Sequence, residues 1–201
     1  MRALRILLDV NVLVSFELSR AAGRSGTVNQ RLVNAMFAGV LGSQPAQLVI
    51  SLAMLDSFRN VMQRLGAAAE NIATVRSALT ELARRGPGGL DPSLLLDRSD
   101  ARFPLRDRED AAVLATAFAA RADLLVTDNL SDFETKDCVI AATSRARHST
   151  GAIRQLNCQF HRARDGHMLV VAHPLDVMAR LAQGKSILFE ELRQLPSDPA
   201  N

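Results

Sequence analysis

Three short apolar runs, Ile6–Leu8, Leu48–Ser51 and Leu124–Thr127, constrain the fold of this chain more than any other feature. Each is rich in Leu, Val or Ile, and none alternates apolar with polar residues. That is how strands covered on both faces read. Met168–Ala172 is a fourth run of the same kind. Helical stripes separate the runs. Val28–Val40 places Leu32, Val33, Met36, Phe37 and Val40 on one face, and Leu52–Leu65 does the same with Leu55, Phe58, Val61, Met62 and Leu65. A third helix is expected over Ala68–Arg85, stopped by Gly86-Pro87-Gly88-Gly89, and a fourth over Asp107–Arg121. Pro174–Gln183 and Ser186–Leu195 read as two closing helices, and the tail 196–201 as frayed. Strands alternating with helices predict an α/β domain with a mainly parallel sheet and right-handed crossovers. Such sheets collect their ligands beyond the carboxyl ends of the strands, so the residues just after each run are the ones to inspect.

Those residues are acidic. Asp9 and Asn11 follow the first run, and Asp56 lies five residues after the second. Asp107 and Asp110 open the fourth helix on one face of its first turn, and Asp128, Asn129 and Asp132 follow the third run. Each has a plainer reading. Asp9 suits a helix cap, Asp107 and Asp110 a cap and capping-box acid, and Asp128-Asn129 an Asx turn. Asp56 suits a surface partner for Arg59 or Asn60. Together they say more, because the sheet would bring them to one place. Carboxylates gathered at one site cannot all stay ionised without a counter-charge, and oxygen-only donors favour Mg²⁺ or Mn²⁺ over zinc.

Composition narrows the partners. Eight Phe with no Tyr and no Trp leave no aromatic platform for stacked bases. A net charge of +3, carried almost wholly by Arg, permits a polyanionic partner without requiring one. Residues 134–167 lack a helical stripe and are rich in basic residues, including Arg145, Arg147 and Arg154. They read as an insertion beside the sheet or a partly mobile segment within a single domain spanning 1–195. Two cysteines make no disulfide framework, and no apolar stretch approaches a membrane span, which leads to the expectation of a cytoplasmic protein with no membrane contact.

The order of these elements resembles the PIN-domain family. The resemblance runs from Leu-Leu-Asp9-Val-Asn11-Val, through Val-Ile-Ser51 with Asp56 on the next helix and Asp107-x-x-Asp110 opening an Ala-rich helix. It ends at Leu-Leu-Val-Thr127 with Asp128-Asn129 and Asp132-Phe133. It implies a Rossmann-like three-layer α/β/α sandwich and a Mg²⁺- or Mn²⁺-dependent endoribonuclease. Such a protein is often the toxin of a bacterial type II toxin–antitoxin pair, homodimeric and silenced by its antitoxin. Residue by residue, Asp9 matches the first acid, Asn11 its polar companion, Asp110 the third acid and Thr127 the polar residue after the last strand of the site. Asp56 falls where the family has its second acid, usually Glu. The fourth acid falls at Asn129, so Asp128 or Asp132 would take its place. The resemblance thus implies Asp9, Asp56, Asp110 and Asp128 as catalytic residues and Asp9, Asp110, Asp128 and Asp132 as ion ligands. Asn11, Thr127, Asn129 and Asp107 would orient water or phosphate, and Arg145, Arg147 and Arg154 would hold the RNA backbone.

Other constellations are weaker. A haloacid-dehalogenase-like phosphotransferase needs Asp two residues after the first acid, where this chain has Asn11. A receiver-like phosphoacceptor needs a late-strand Lys, and neither Lys136 nor Lys185 is placed for it. Cys158-Gln-Phe-His161, with Cys138 and His167 near, lacks the second close ligand pair of a zinc site. His148 and His173 stand alone and read as surface residues. The remaining alternatives are a catalytically degenerate RNA- or protein-binding module and a phosphatase or DNA nuclease using the same acids.

Overall fold

A computed structural model of the chain describes residues 2–85, 94–95, 105, 107–147, 153–163 and 165–193; of residues 85, 94–95, 142–147 and 153–156 it describes the backbone alone. In chain order the elements are β1 (Leu4–Leu8), α1 (Val10–Ala21), α2 (Val28–Ala38), β2 (Val40–Leu41), β3 (Gln44–Ser51), α3 (Leu52–Arg64) and α4 (Ala69–Arg85). There follow β4 (Leu94–Leu95), α5 (Arg108–Ala119), β5 (Leu124–Val126), a 3-10 turn (Leu130–Phe133), β6 (Val139–Arg147), β7 (Ile153–Arg162), β8 (Met168–Ala172), α6 (Pro174–Ala182) and α7 (Phe189–Leu192).

One sheet runs β2-β3-β1-β5-β8-β7-β6, with the short β4 beside the far end of β3. Its centre is parallel: β1 pairs with β3 and β5, and β5 pairs with β8. The absence of alternation in the apolar runs has the expected cause. Ile6, Leu7 and Leu8 are all buried, as are Leu124, Leu125 and Val126, so both faces of the sheet are covered. From β1 the chain passes to β3 on one side and later to β5 on the other. The carboxyl end of β1 is therefore a topological switch point, the place where an open sheet leaves a crevice. Asp9 occupies it.

Local signals set the helix limits. Thr27 and Gln30 cap α2 reciprocally, and Gly39 ends it in the left-handed region at φ 69°, open to a residue without a Cβ. That stop takes Val40 out of the helix into β2, so Val40 and Phe37 are exposed instead of continuing the predicted stripe. His173 caps α6, whose first residue is Pro174; its Nδ1 accepts the Leu175 amide at 3.1 Å. His173 is buried, against the surface position expected for it.

The stretch 134–167 is the main departure from the expected layout. It forms neither a separate insertion nor a helix, but an antiparallel hairpin of β6 and β7 that extends the sheet beyond β8. Arg145, Arg147 and Arg154 lie on its strands, with their side chains outside the described residues. The tail 196–201, His148 and the predicted breaker 86–89 also lie outside them. Cys158 and His161 are three apart on β7 and so point to opposite faces, which rules out a shared zinc site. Cys158 is buried and its thiol is pushed up to about 12, while burial pushes the His161 imidazole down to about 4. Among the described residues no helix is long and apolar enough to cross a membrane.

Candidate active site

Asp9 leaves β1 and begins α1, with its own amide donating to the Val126 carbonyl at 2.9 Å. The cap reading of this residue holds in part: Asp9 Oδ1 accepts the Val10 amide at 2.6 Å. Its Oδ2 accepts from Thr127 Oγ1 at 2.8 Å and from Asn11 Nδ2 at 2.8 Å. Asn11 Nδ2 also donates to Thr127 Oγ1 at 3.1 Å, and the Asp128 amide donates to Asn11 Oδ1 at 3.2 Å. Asp9 is 5% exposed and Thr127 fully buried. A carboxylate offers about four acceptor positions, and these bonds fill three of Asp9's, two on Oδ2 and one on Oδ1. An acceptor position on Oδ1 is left for a cation or water. Burial raises the Asp9 carboxyl above its ordinary range; the bonds from Thr127 and Val10 pull it back, and the charges of Asp128 and Asp132 push it further up.

At the start of α5, Asp107 is the N-cap and accepts the Glu109 amide at 2.7 Å. Asp110, one residue further round the turn, lines the crevice. Burial raises its carboxyl to about 7, and the carboxylates of Asp132, Asp9, Asp107 and Glu109 all act in the same direction. These are the influences that accumulate where acids share a site. Asp110 divides two clefts. One, of about 290 Å³, lies between the first turns of α3 and α5 and reaches Asp9 and Ser51. The other is bordered by Asp107, Asp132, Glu134 and Lys136.

The loop after β5 sorts its two aspartates. Asp128 Oδ2 accepts from Asn29 Nδ2 of α2 at 3.1 Å and from Ser15 Oγ of α1 at 3.3 Å, and its Oδ1 lies 3.8 Å from His173 Nε2. Asp132 is held differently. Phe133 is fully buried and anchors the 3-10 turn, and Asn129, whose amide donates to Thr127 Oγ1, donates through Nδ2 to Asp132 Oδ2. Asp132 borders the second cleft and acts electrostatically on both Asp9 and Asp110.

Asp56 is the correction. It sits half-exposed on α3, paired with Arg76 of α4 at 2.9 Å and Arg59 at 3.3 Å, and it does not line the crevice. Ala53, Met54 and Ser57 face the crevice instead. At about 100° per residue, Asp56 lies about 100° round the helix from the middle of those three. The sequence contained no sign of Arg76, which reaches Asp56 only because α4 folds back on α3. Ser15, Asn29 and His173 were also missed. For His173 a signal existed, since a residue before Pro at a helix start reads as a cap.

The PIN-domain family model matches residues 5–131, well over half of the chain's 201 residues. The chain belongs to the PIN-domain family. The match ends within the 3-10 turn, so it covers Asp9, Asp110, Thr127 and Asn129, while Asp132 and the β6–β7 hairpin lie beyond it. PIN domains are generally nucleases that need divalent metal ions. No curated protein matches the chain. Among the described residues no three carboxylate, imidazole or thiol groups converge tightly enough to enclose an ion by themselves. The donor chemistry nonetheless fits Mg²⁺ or Mn²⁺. Every candidate ligand is a hard carboxylate oxygen, the acids raise one another's affinity for protons, and small hard cations are commonly held by one or two carboxylates with retained water.

Proposed function

We propose that this PIN domain is a divalent-metal-dependent endoribonuclease with Asp9, Asp110 and Asp132 as the residues that hold Mg²⁺ or Mn²⁺. The observation that carries the reading is the mutual electrostatic strain among these acids, expressed in an Asp110 carboxyl raised to about 7. A divalent cation is what relieves such strain at neutral pH. When bound, the ion supplies an acidified water and stabilises the leaving oxygen of the phosphodiester.

The chain's own residues prepare that chemistry. Thr127 and Asn11 fix Asp9 Oδ2 and so aim Oδ1 outward. Asn129 holds Asp132 toward the crevice, which makes it an orienting residue at the position where the family has its fourth acid. Asp128 is tied to α1 and α2 and keeps the loop after β5 in place, contributing charge to Asp9 from behind. Asp107 caps the helix that presents Asp110. A toxin role, with a cognate antitoxin and a homodimer, remains part of the proposal on family grounds. The arginines of the hairpin, Arg145, Arg147 and Arg154, are proposed to meet the RNA backbone and give salt-dependent affinity.

The decisive experiment is cleavage of a labelled single-stranded RNA by purified protein with Mn²⁺, beside the Asp9→Asn variant. Loss of cleavage with retained folding is expected; undiminished cleavage in the variant sinks the assignment. One observation favours a second reading, a degenerate binding module: α3 sends no acid into the crevice. That reading requires that Mn²⁺ leave the melting temperature unchanged, whereas an occupied site raises it.

A further inference from the structure

In place of an acid, α3 offers space. The cleft of about 290 Å³ beside Asp9 and Asp110 is walled by Ala53 and Met54 of α3 and by Ala112 and Val113 of α5, with Ser57 and Arg108 as polar edges. A mainly apolar cleft with a few polar groups is how small organic rings are received, and this one is at the small end of such sites. It is continuous with the acids at one wall, since Asp9 and Asp110 line it too. A phosphodiester held at those acids therefore puts the neighbouring nucleotide at the mouth of the cleft.

We propose that this cleft receives the unstacked base of the nucleotide next to the scissile phosphate, so that the chain acts on single-stranded RNA. The proposal rests on the nuclease reading above. A base inside a duplex is stacked and paired, and entering a side cleft requires it to be splayed out. The chain has no Tyr or Trp, so the base is gripped between aliphatic walls rather than on an aromatic platform. Ser57 supplies a hydroxyl able to donate to or accept from a base edge. Arg108, in the first turn of α5, brings a cation to a rim otherwise lined by acids and meets the next phosphate along the strand. The strand then crosses Asp110 and leaves along the second cleft, where Lys136 stands.

Two measurements test this separately from the nuclease reading. In the first, the wild-type protein with Mg²⁺ is titrated with each of the four nucleoside 5′-monophosphates while methyl NMR signals are followed. Saturable shifts centred on Met54 and Val113, differing among the bases, are expected. Absence of shifts there overturns the cleft assignment whether or not the protein cuts RNA. In the second, wild type and Ala53→Phe, which fills the cleft from a half-buried position, are compared on a defined single-stranded RNA. A rise in KM of about tenfold is expected, within the range that loss of one stacked base produces. The preference for a particular base at the cut should also disappear, with the Mn²⁺-linked rise in melting temperature retained. Ser57→Leu provides the same comparison if Ala53→Phe folds poorly. An unchanged KM and cut pattern in a folded filled variant overturns the proposal. Failure of the wild type to cut any RNA overturns the nuclease reading, and the NMR titration then decides the cleft alone.

Discussion

The first turns of α5 and α3 face each other across the crevice, and they were built from similar material. Each follows a polar cap, Asp107 for α5 and Ser51 for α3, and each carries an aspartate soon after it. Asp110 is the third residue past its cap and enters the crevice; Asp56 is the fifth past its cap and leaves it for Arg76 and Arg59. Two residues along a helix turn a side chain by about 200°. Helical phase thus separates an acid under electrostatic strain from one neutralised in a surface ion pair. A carboxylate in a PIN-like sequence says little about function until its phase against the sheet is known.

The sharpest way to break this comparison is to remove each acid. Asp110→Asn is expected to lower Mn²⁺-dependent cleavage by at least about 100-fold, the upper end of what loss of a merely supporting partner costs a metal site. Asp56→Ala is expected to leave the rate within about twofold and to cost less than about 1 kcal/mol, since its ion pairs are half-exposed. Single-turnover rates and thermal melts check both, and a large rate loss in Asp56→Ala would return α3 to the catalytic set.

The loop after β5 sharpens the same contrast. Asp132→Asn should impair cleavage nearly as much as Asp110→Asn. Asp128→Ala should act mainly on stability, because it leaves Asn29 and Ser15 without their acceptor, at a cost of about 1–3 kcal/mol if those groups stay dry. Chemical denaturation alongside metal titration separates the two, and the opposite pattern would make Asp128 the ligand.

The smallest expected effect is a pH dependence. The folded Asp110 carboxyl, at about 7, lies above its unfolded value near 3.8, so the metal-free folded chain binds more protons than the unfolded one between those values. Stability of the metal-free protein therefore falls as pH rises from about 4 through 7. Asp110→Asn should flatten that fall and raise the melting temperature at pH 8 by roughly 2–4 °C, the shift that about 1 kcal/mol produces in a chain of this size. Mn²⁺ should flatten it in the wild type. Melting curves across pH 4–8 with and without Mn²⁺ check this; an unchanged slope in Asp110→Asn would mean that Asp110 is not the strained group.

Much of the fold was legible because burial leaves a linear trace. Strands covered on both faces must be apolar throughout, and helices covered on one must carry a stripe, so β1, β3, β5, β8 and α2 to α6 could be read within a few residues. The hairpin β6–β7 could not, because an added strand pair is defined by partners across the chain. Its sequence carries arginines and polar residues where a buried strand would carry Leu or Val.

For the acids, sequence alone determined that carboxylates follow the strand ends, because that follows from local order and from where an open sheet leaves its crevice. Only the tertiary structure decided which of them meet. Asp9 is held by Thr127 from 118 residues away, Asp128 is drawn off by Ser15 and Asn29, and Asp56 is claimed by Arg76 on the returning α4. Coulombic and hydrogen-bonding partners act over a few ångströms in space and without regard to separation along the chain, so no local pattern reveals them.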